Sequence, residues 1–101
     1  MSYTLTIRKE AERDIDEQFN YYEEKREGLG HNYLLCIEEA LGKLQRNPLA
    51  YRKIHNELRR LPIKRFPHRI FYLVQNNNVI VTAVFHVRKA PISWDTRPHQ
   101  P

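Results

Sequence analysis

A chain of 101 residues has room for one modest hydrophobic core, and a share of 41% hydrophobic and 29% charged residues marks an ordered globular domain rather than a disordered tail. A single cysteine, Cys36, excludes an internal disulfide and fits a reducing compartment. The net charge of +5 is polarised: residues 1–51 carry seven Lys/Arg and ten Asp/Glu, a balance of −3, whereas residues 52–101 carry ten and two, a balance of +8, which calls for an anionic counterpart.

Tyr3, Leu5 and Ile7 alternate with Ser2, Thr4 and Thr6, the period of a half-buried strand. Arg8, Lys9 and Glu10 follow too soon for a secretory leader, so the chain is expected to stay in the cytoplasm. From Lys9 to Glu27 the apolar positions Ala11, Ile15, Phe19 and Tyr22 recur at helical spacing. Glu10 and Glu12 in the first turn and Lys25 and Arg26 in the last complement the helix dipole, Gly28 suits a left-handed ending, and Arg8 is a poor N-cap. After a turn at Gly28-Leu29-Gly30, a second helix reads through Tyr33, Leu34, Ile37, Leu41 and Leu44 to Asn47-Pro48, where proline stops it. So short a link makes the two helices an antiparallel hairpin, whose apolar stripe needs a sheet to cover.

Leu58 to Ile63, Arg65 to Gln75 and Val79 to Arg88 read as strands, with Asn76-Asn77-Asn78 as the turn between the last two. Strict alternation in the last strand puts Val79, Val81, Ala83, Phe85 and Val87 on one face and Ile80, Thr82, Val84 and His86 on the other, which predicts a central strand. This apolar run is too short to span a bilayer as a helix, and no membrane association is expected. Pro62 and Pro67 belong at strand ends, a bulge or an edge. The predicted fold is α+β, in the order β-α-α-β-β-β: an N-terminal strand and an antiparallel helical hairpin packed on a twisted antiparallel sheet. One domain over residues 1–97 and a flexible tail at 98–101 complete the expectation.

Arg59, Arg60, Lys64, Arg65 and Arg69 form a basic segment interleaved with Leu61, Phe66 and Phe71. It suits phosphates or an acidic partner strand, and equally a cationic strand edge that discourages aggregation. Five such contacts to nucleic acid would give a slope of log K against log salt of roughly −3.5 to −4.5. RNA cleavage needs a base, an acid and cations for the phosphorane-like charge; the candidates are Arg60, Arg69, His86 and Arg88, with His68 and Tyr72 behind them. His86 and Arg88 share strand parity, although a hydrogen-bonded structural histidine and a solvated arginine account for the same pair. Tyr21, Tyr22, Tyr33 and Phe19 read as packing residues, and Cys36 as a small hydrophobe. His31, His55 and His99 lack ligand spacing, so neither a metal site nor a cofactor is expected.

Several segments together resemble the RelE/ParE toxins of type II toxin-antitoxin systems, and the ParE-like branch, also called plasmid stabilisation proteins, most. They are Ala11-Glu12-Arg13-Asp14-Ile15 in the first helix, Asn47-Pro48 at the exit of the second, then Leu58-Arg59-Arg60, Lys64-Arg65-Phe66-Pro67, Ile70-Phe71-Tyr72, Ala83-Val84-Phe85-His86-Val87-Arg88 and the closing Pro91-Ile92-Ser93-Trp94-Asp95-Thr96-Arg97. The resemblance implies a strand, a helical hairpin and a sheet, and a toxin neutralised by a ParD-like antitoxin. It implies target or antitoxin contacts at Arg59, Lys64, Arg65, Arg88, Trp94 and Arg97. ParE-like members are associated with inhibition of DNA gyrase without catalysis; RelE-like members are mRNA interferases that cut message on the ribosome. The late tyrosine of the RelE-like site is replaced here by Trp94, whose indole is neither acid nor base, which favours the gyrase reading. An inactive relative that only binds antitoxin is the third possibility.

Overall fold

The computed structural model describes residues 3–88. Thr4–Ile7 (β1) leads into Lys9–Lys25 (α1) and Leu29–Arg46 (α2), followed by a 3₁₀ turn at Pro48–Ala50 and the strands Lys53–His55 (β2), Leu58–Pro62 (β3), His68–Gln75 (β4) and Asn78–His86 (β5). The strands form one sheet in the order β1-β5-β4-β3-β2. The expected α+β fold of helical hairpin on sheet is therefore the one the chain adopts. Two particulars extend it. β2 is an additional strand of three residues, and β1 runs parallel to β5, with Leu5 beside Val79 and Ile7 beside Val81. The chain re-enters the sheet at the far edge after α2, and three antiparallel reversals then bring β5 back to β1 in the same direction.

The hairpin is tighter than the sequence suggests. Gly28 takes the left-handed conformation, with φ +88°, and α2 begins at the next residue, so the expected turn at 28–30 is already its first turn. No side chain of Arg8 or Gly28 caps its helix. Instead, Glu23 reaches across from α1: its two carboxylate oxygens accept the Gly28 and Gly30 N–H groups, each at 2.9 Å. Those are orphan donors of the α2 N-terminus, where negative charge is favoured. The Gly28 bond is the main reason the Glu23 carboxyl lies below its ordinary range. Gly30 is buried in the crossing, since a Cβ there would stand 2.7 Å from the Phe19 carbonyl oxygen.

Two apolar clusters lie on opposite faces of the sheet. Ala11, Tyr33, Ile37, Ala40 and Leu44 of the hairpin pack on Leu61, Ile70, Tyr72, Val79, Val81 and Val84. The other face carries Leu58, Phe71, Leu73, Ile80, Ala83 and Phe85. The strict alternation expected along β5 does not hold. Phe71 pairs with Ala83 but Tyr72 with Val81, so Thr82 is the extra residue of a β-bulge, its hydroxyl donating to the Phe71 carbonyl at 3.3 Å. The bulge moves Ile80 to the face of Ala83 and Phe85, and Val84 and His86 to the helix-covered face of Val79 and Val81. Pro62 ends β3 and Pro67 precedes β4, as proline's missing donor requires.

Candidate functional site

Two of the expected cations come together on the face away from the helices. Arg60 pairs with Phe71 and Arg69 with Phe85, so the two arginines share a face with these two phenylalanines, whose ring centroids are 5.7 Å apart. They are diagonal neighbours across β3 and β4, a spacing that long side chains bridge. Burial, then the charges of Arg69 and Arg52, lower the Arg60 pKa from its usual value. Among the described residues none of these three arginines has an ion pair to a carboxylate. Arg52 was the member the sequence reading did not single out; only its place in the basic half hinted at it. Along the same face, at the β2–β3 turn, a cavity of about 330 Å³ is lined by His55, Asn56, Glu57, Leu58, Leu73, Val74 and Gln75.

His86 lies on the opposite face. Its ring sits 5.4 Å from that of His68, its register partner on β4, and its Nδ1 accepts the Arg88 N–H at 3.2 Å. The strand ends at His86 and Arg88 lies in the following turn, so the expected sharing of a strand face by these two does not occur. His68 is buried, and its Nε2 is hydrogen-bonded to the Tyr22 hydroxyl at 2.9 Å. Burial first, and His86 second, push the His68 pKa down to about 4. A neutral imidazole locked inside the hairpin–sheet contact is out of reach of a substrate on the arginine face. Tyr72 is similarly committed: its hydroxyl donates to the Pro48 carbonyl at 2.6 Å, and burial raises its pKa.

The remaining candidates disperse. Arg59 faces the helix side and donates to the Tyr51 and Leu49 carbonyls at 2.5 and 3.4 Å, tying the 3₁₀ turn to the sheet. Lys64 reaches Glu39 of α2 at 3.9 Å, and Arg65 adopts φ 72° in the exposed loop before β4. Arg88 is exposed. Trp94 and Arg97, like the domain boundary expected at residue 97, lie outside the described residues. Among the described residues no group of three or more His, Cys, Asp or Glu gathers to hold a metal, and no helix is long and apolar enough to cross a membrane.

A hairpin laid across one face of a mixed sheet, with a cluster of arginines on the other, is an arrangement whose fold recurs in solved structures. The chromosomal ParDE toxin-antitoxin system of P. aeruginosa superposes with a TM-score of 0.74 at 19% identity, covering 84% of this chain and 96% of that one. The RelBE2 toxin-antitoxin complex of Mycobacterium tuberculosis gives 0.63 at 22%, covering 85% and 99%. A double arginine-to-alanine mutant of the E. coli toxin RelE, in the free state, gives 0.57 at 16%, covering 89% and 88%. At these identities the likeness shows a shared fold. A comparison with curated proteins finds no match. The sequence itself matches the ParE toxin of type II toxin-antitoxin systems, parDE, over residues 5–91. The chain belongs to the ParE toxin family of type II toxin-antitoxin systems.

Proposed function

We propose that this toxin acts in the cytoplasm as a non-catalytic inhibitor of DNA gyrase and is held inactive by a cognate ParD-like antitoxin, with the face of Arg60 and Arg69 as the surface that meets them. The observation that carries the reading is the separation of charge from acid–base chemistry: Arg60 and Arg69 occupy one face, while His86 and His68 are on the other. Partly exposed cations grouped on one face suit the acidic segment of an antitoxin or a protein target. The ParDE and RelBE2 relatives are toxin-antitoxin systems, which supports an antitoxin partner.

Ribosome-dependent mRNA cleavage is the competing activity, because two guanidiniums with no carboxylate partner among the described residues are also what a phosphorane-like transition state needs. Gyrase supercoiling and cleavage of ribosome-bound message, measured side by side with the purified toxin, separate the two. Loss of supercoiling with intact message is the expected result; cleaved message with unaffected gyrase overturns it. His86→Ala is expected to leave toxicity within about twofold, whereas loss of a general base costs on the order of 10²-fold or more. Normal growth on expression without antitoxin identifies an inactive relative.

A further inference from the structure

α1 is fastened to the sheet by a row of polar side chains. Asp14, Gln18 and Tyr22 are each four residues apart and so lie in line along the helix. Asp14 Oδ2 accepts the Val84 N–H at 3.0 Å, and Gln18 Nε2 donates to the Val84 carbonyl at 2.8 Å. Gln18 Oε1 accepts from the Tyr33 hydroxyl, and the Tyr22 hydroxyl meets His68 Nε2. These contacts do the work of a missing strand. β1 stops at Ile7 opposite Val81, the Arg8 N–H reaches the Val81 carbonyl at 3.0 Å, and beyond that point α1 side chains serve the outer edge of β5 at Val84.

His68 is the rung of this row that gains a charge in mild acid. It is 5% exposed, and its Nδ1 has no hydrogen-bond partner among the described residues. Its ring meets those of Tyr22 on α1, Tyr33 on α2 and His86 on β5 at 5.8, 5.5 and 5.4 Å. Among the described residues those are the titratable rings against it. Asp14, the carboxylate of the same helix stripe, bonds the Val84 amide and acts on Tyr33; the influences on His68 itself are burial and the second imidazole, with no carboxylate among the described residues to offset a charge. A buried cation with no counter-charge is costly, so the proton is taken up by an opened form instead.

We propose that Asp14, Gln18, Tyr22 and His68 form an acid-releasable seam: protonation of His68 frees α1 from the β4–β5 end and uncovers the β5 edge from Thr82 to His86. The folded imidazole, at about 4, binds protons more weakly than the ordinary 6.5 of an open chain. The seam is therefore intact above pH 6.5, weakens as pH falls from 6.5 towards 4, and gains no further dependence from His68 below that. Over the whole window the linkage is on the order of 10²-fold in the opening equilibrium.

Amide hydrogen exchange of the full chain tests this at Val84, with rates corrected for intrinsic exchange. Opening coupled to one proton speeds Val84 exchange about tenfold per pH unit between pH 6 and 4.5. His68→Gln, which keeps a polar group but cannot take the charge, is expected to flatten that slope. A pH-independent wild-type rate, or the same slope in His68→Gln, overturns the seam. Should His68→Gln fail to fold, the imidazole resonances of the wild-type chain decide: a midpoint near 4 sustains the proposal and one near 6.5 refutes it. Tyr22→Phe, with the ring kept and the hydroxyl removed, is expected to raise Val84 exchange at neutral pH without altering its slope.

Discussion

The two faces of the same five strands are finished in opposite ways. On the helix side a large apolar cluster is packed and several polar groups tie the layers together: Arg59 and Tyr72 hold the 3₁₀ turn, and Asp14 and Gln18 hold Val84. On the other side Phe71, Phe85, Leu73 and Ile80 are buried too, but the partly exposed Arg60 and Arg69 stand beside them, and burial first, then the charges of Arg69 and Arg52, lowers the Arg60 pKa. One face is arranged for stability. The other holds like charges close together at a cost to stability, which the proposed contact surface would account for.

That contrast is open to direct attack, beginning where the effect is largest. Tyr33 is fully buried and its ring meets Tyr22, Phe66 and His68. Tyr33→Ala should cost about 3–5 kcal/mol in urea unfolding, and a loss below about 1 kcal/mol would show that the helix-covered face is not where stability resides. Gly30→Ala forces a methyl against the Phe19 carbonyl oxygen and should cost about 1–3 kcal/mol, read from the thermal midpoint. An unchanged midpoint would mean that the helices slide freely past each other. The smallest effect on stability belongs to Arg60→Ala combined with Arg69→Ala: within about 0.5 kcal/mol of the parent, because removing them also removes their repulsion, while growth arrest is abolished. A stable double variant that remains fully toxic would move the functional surface elsewhere.

Much of the fold was legible in the residues. Ala11, Ile15, Phe19 and Tyr22 mark one helix face, and Asn47-Pro48 ends the second helix as expected. β2 was not legible, because Lys53-Ile54-His55 is too short to show a period. The site was read less completely. Arg60 and Arg69 were chosen for their charge, and the structure brings them together with Arg52. His86 and Arg88 were paired by parity, a rule that survives only as long as the strand does. The bulge at Thr82 shifts the count by one, and the chain leaves the sheet after His86.

The sequence by itself determined the order of helices and strands, the basic second half and the family, because periodicity, turn chemistry and motif spacing are local properties of the chain. Which face each β5 side chain occupies, the parallel seat of β1 and the partners of Asp14, Gln18 and Tyr22 were decided only in three dimensions. The seat of β1 and the bonds of α1 to the sheet join residues 46 to 74 positions apart, and the bulge depends on how β4 pairs with β5, so no local pattern encodes that register.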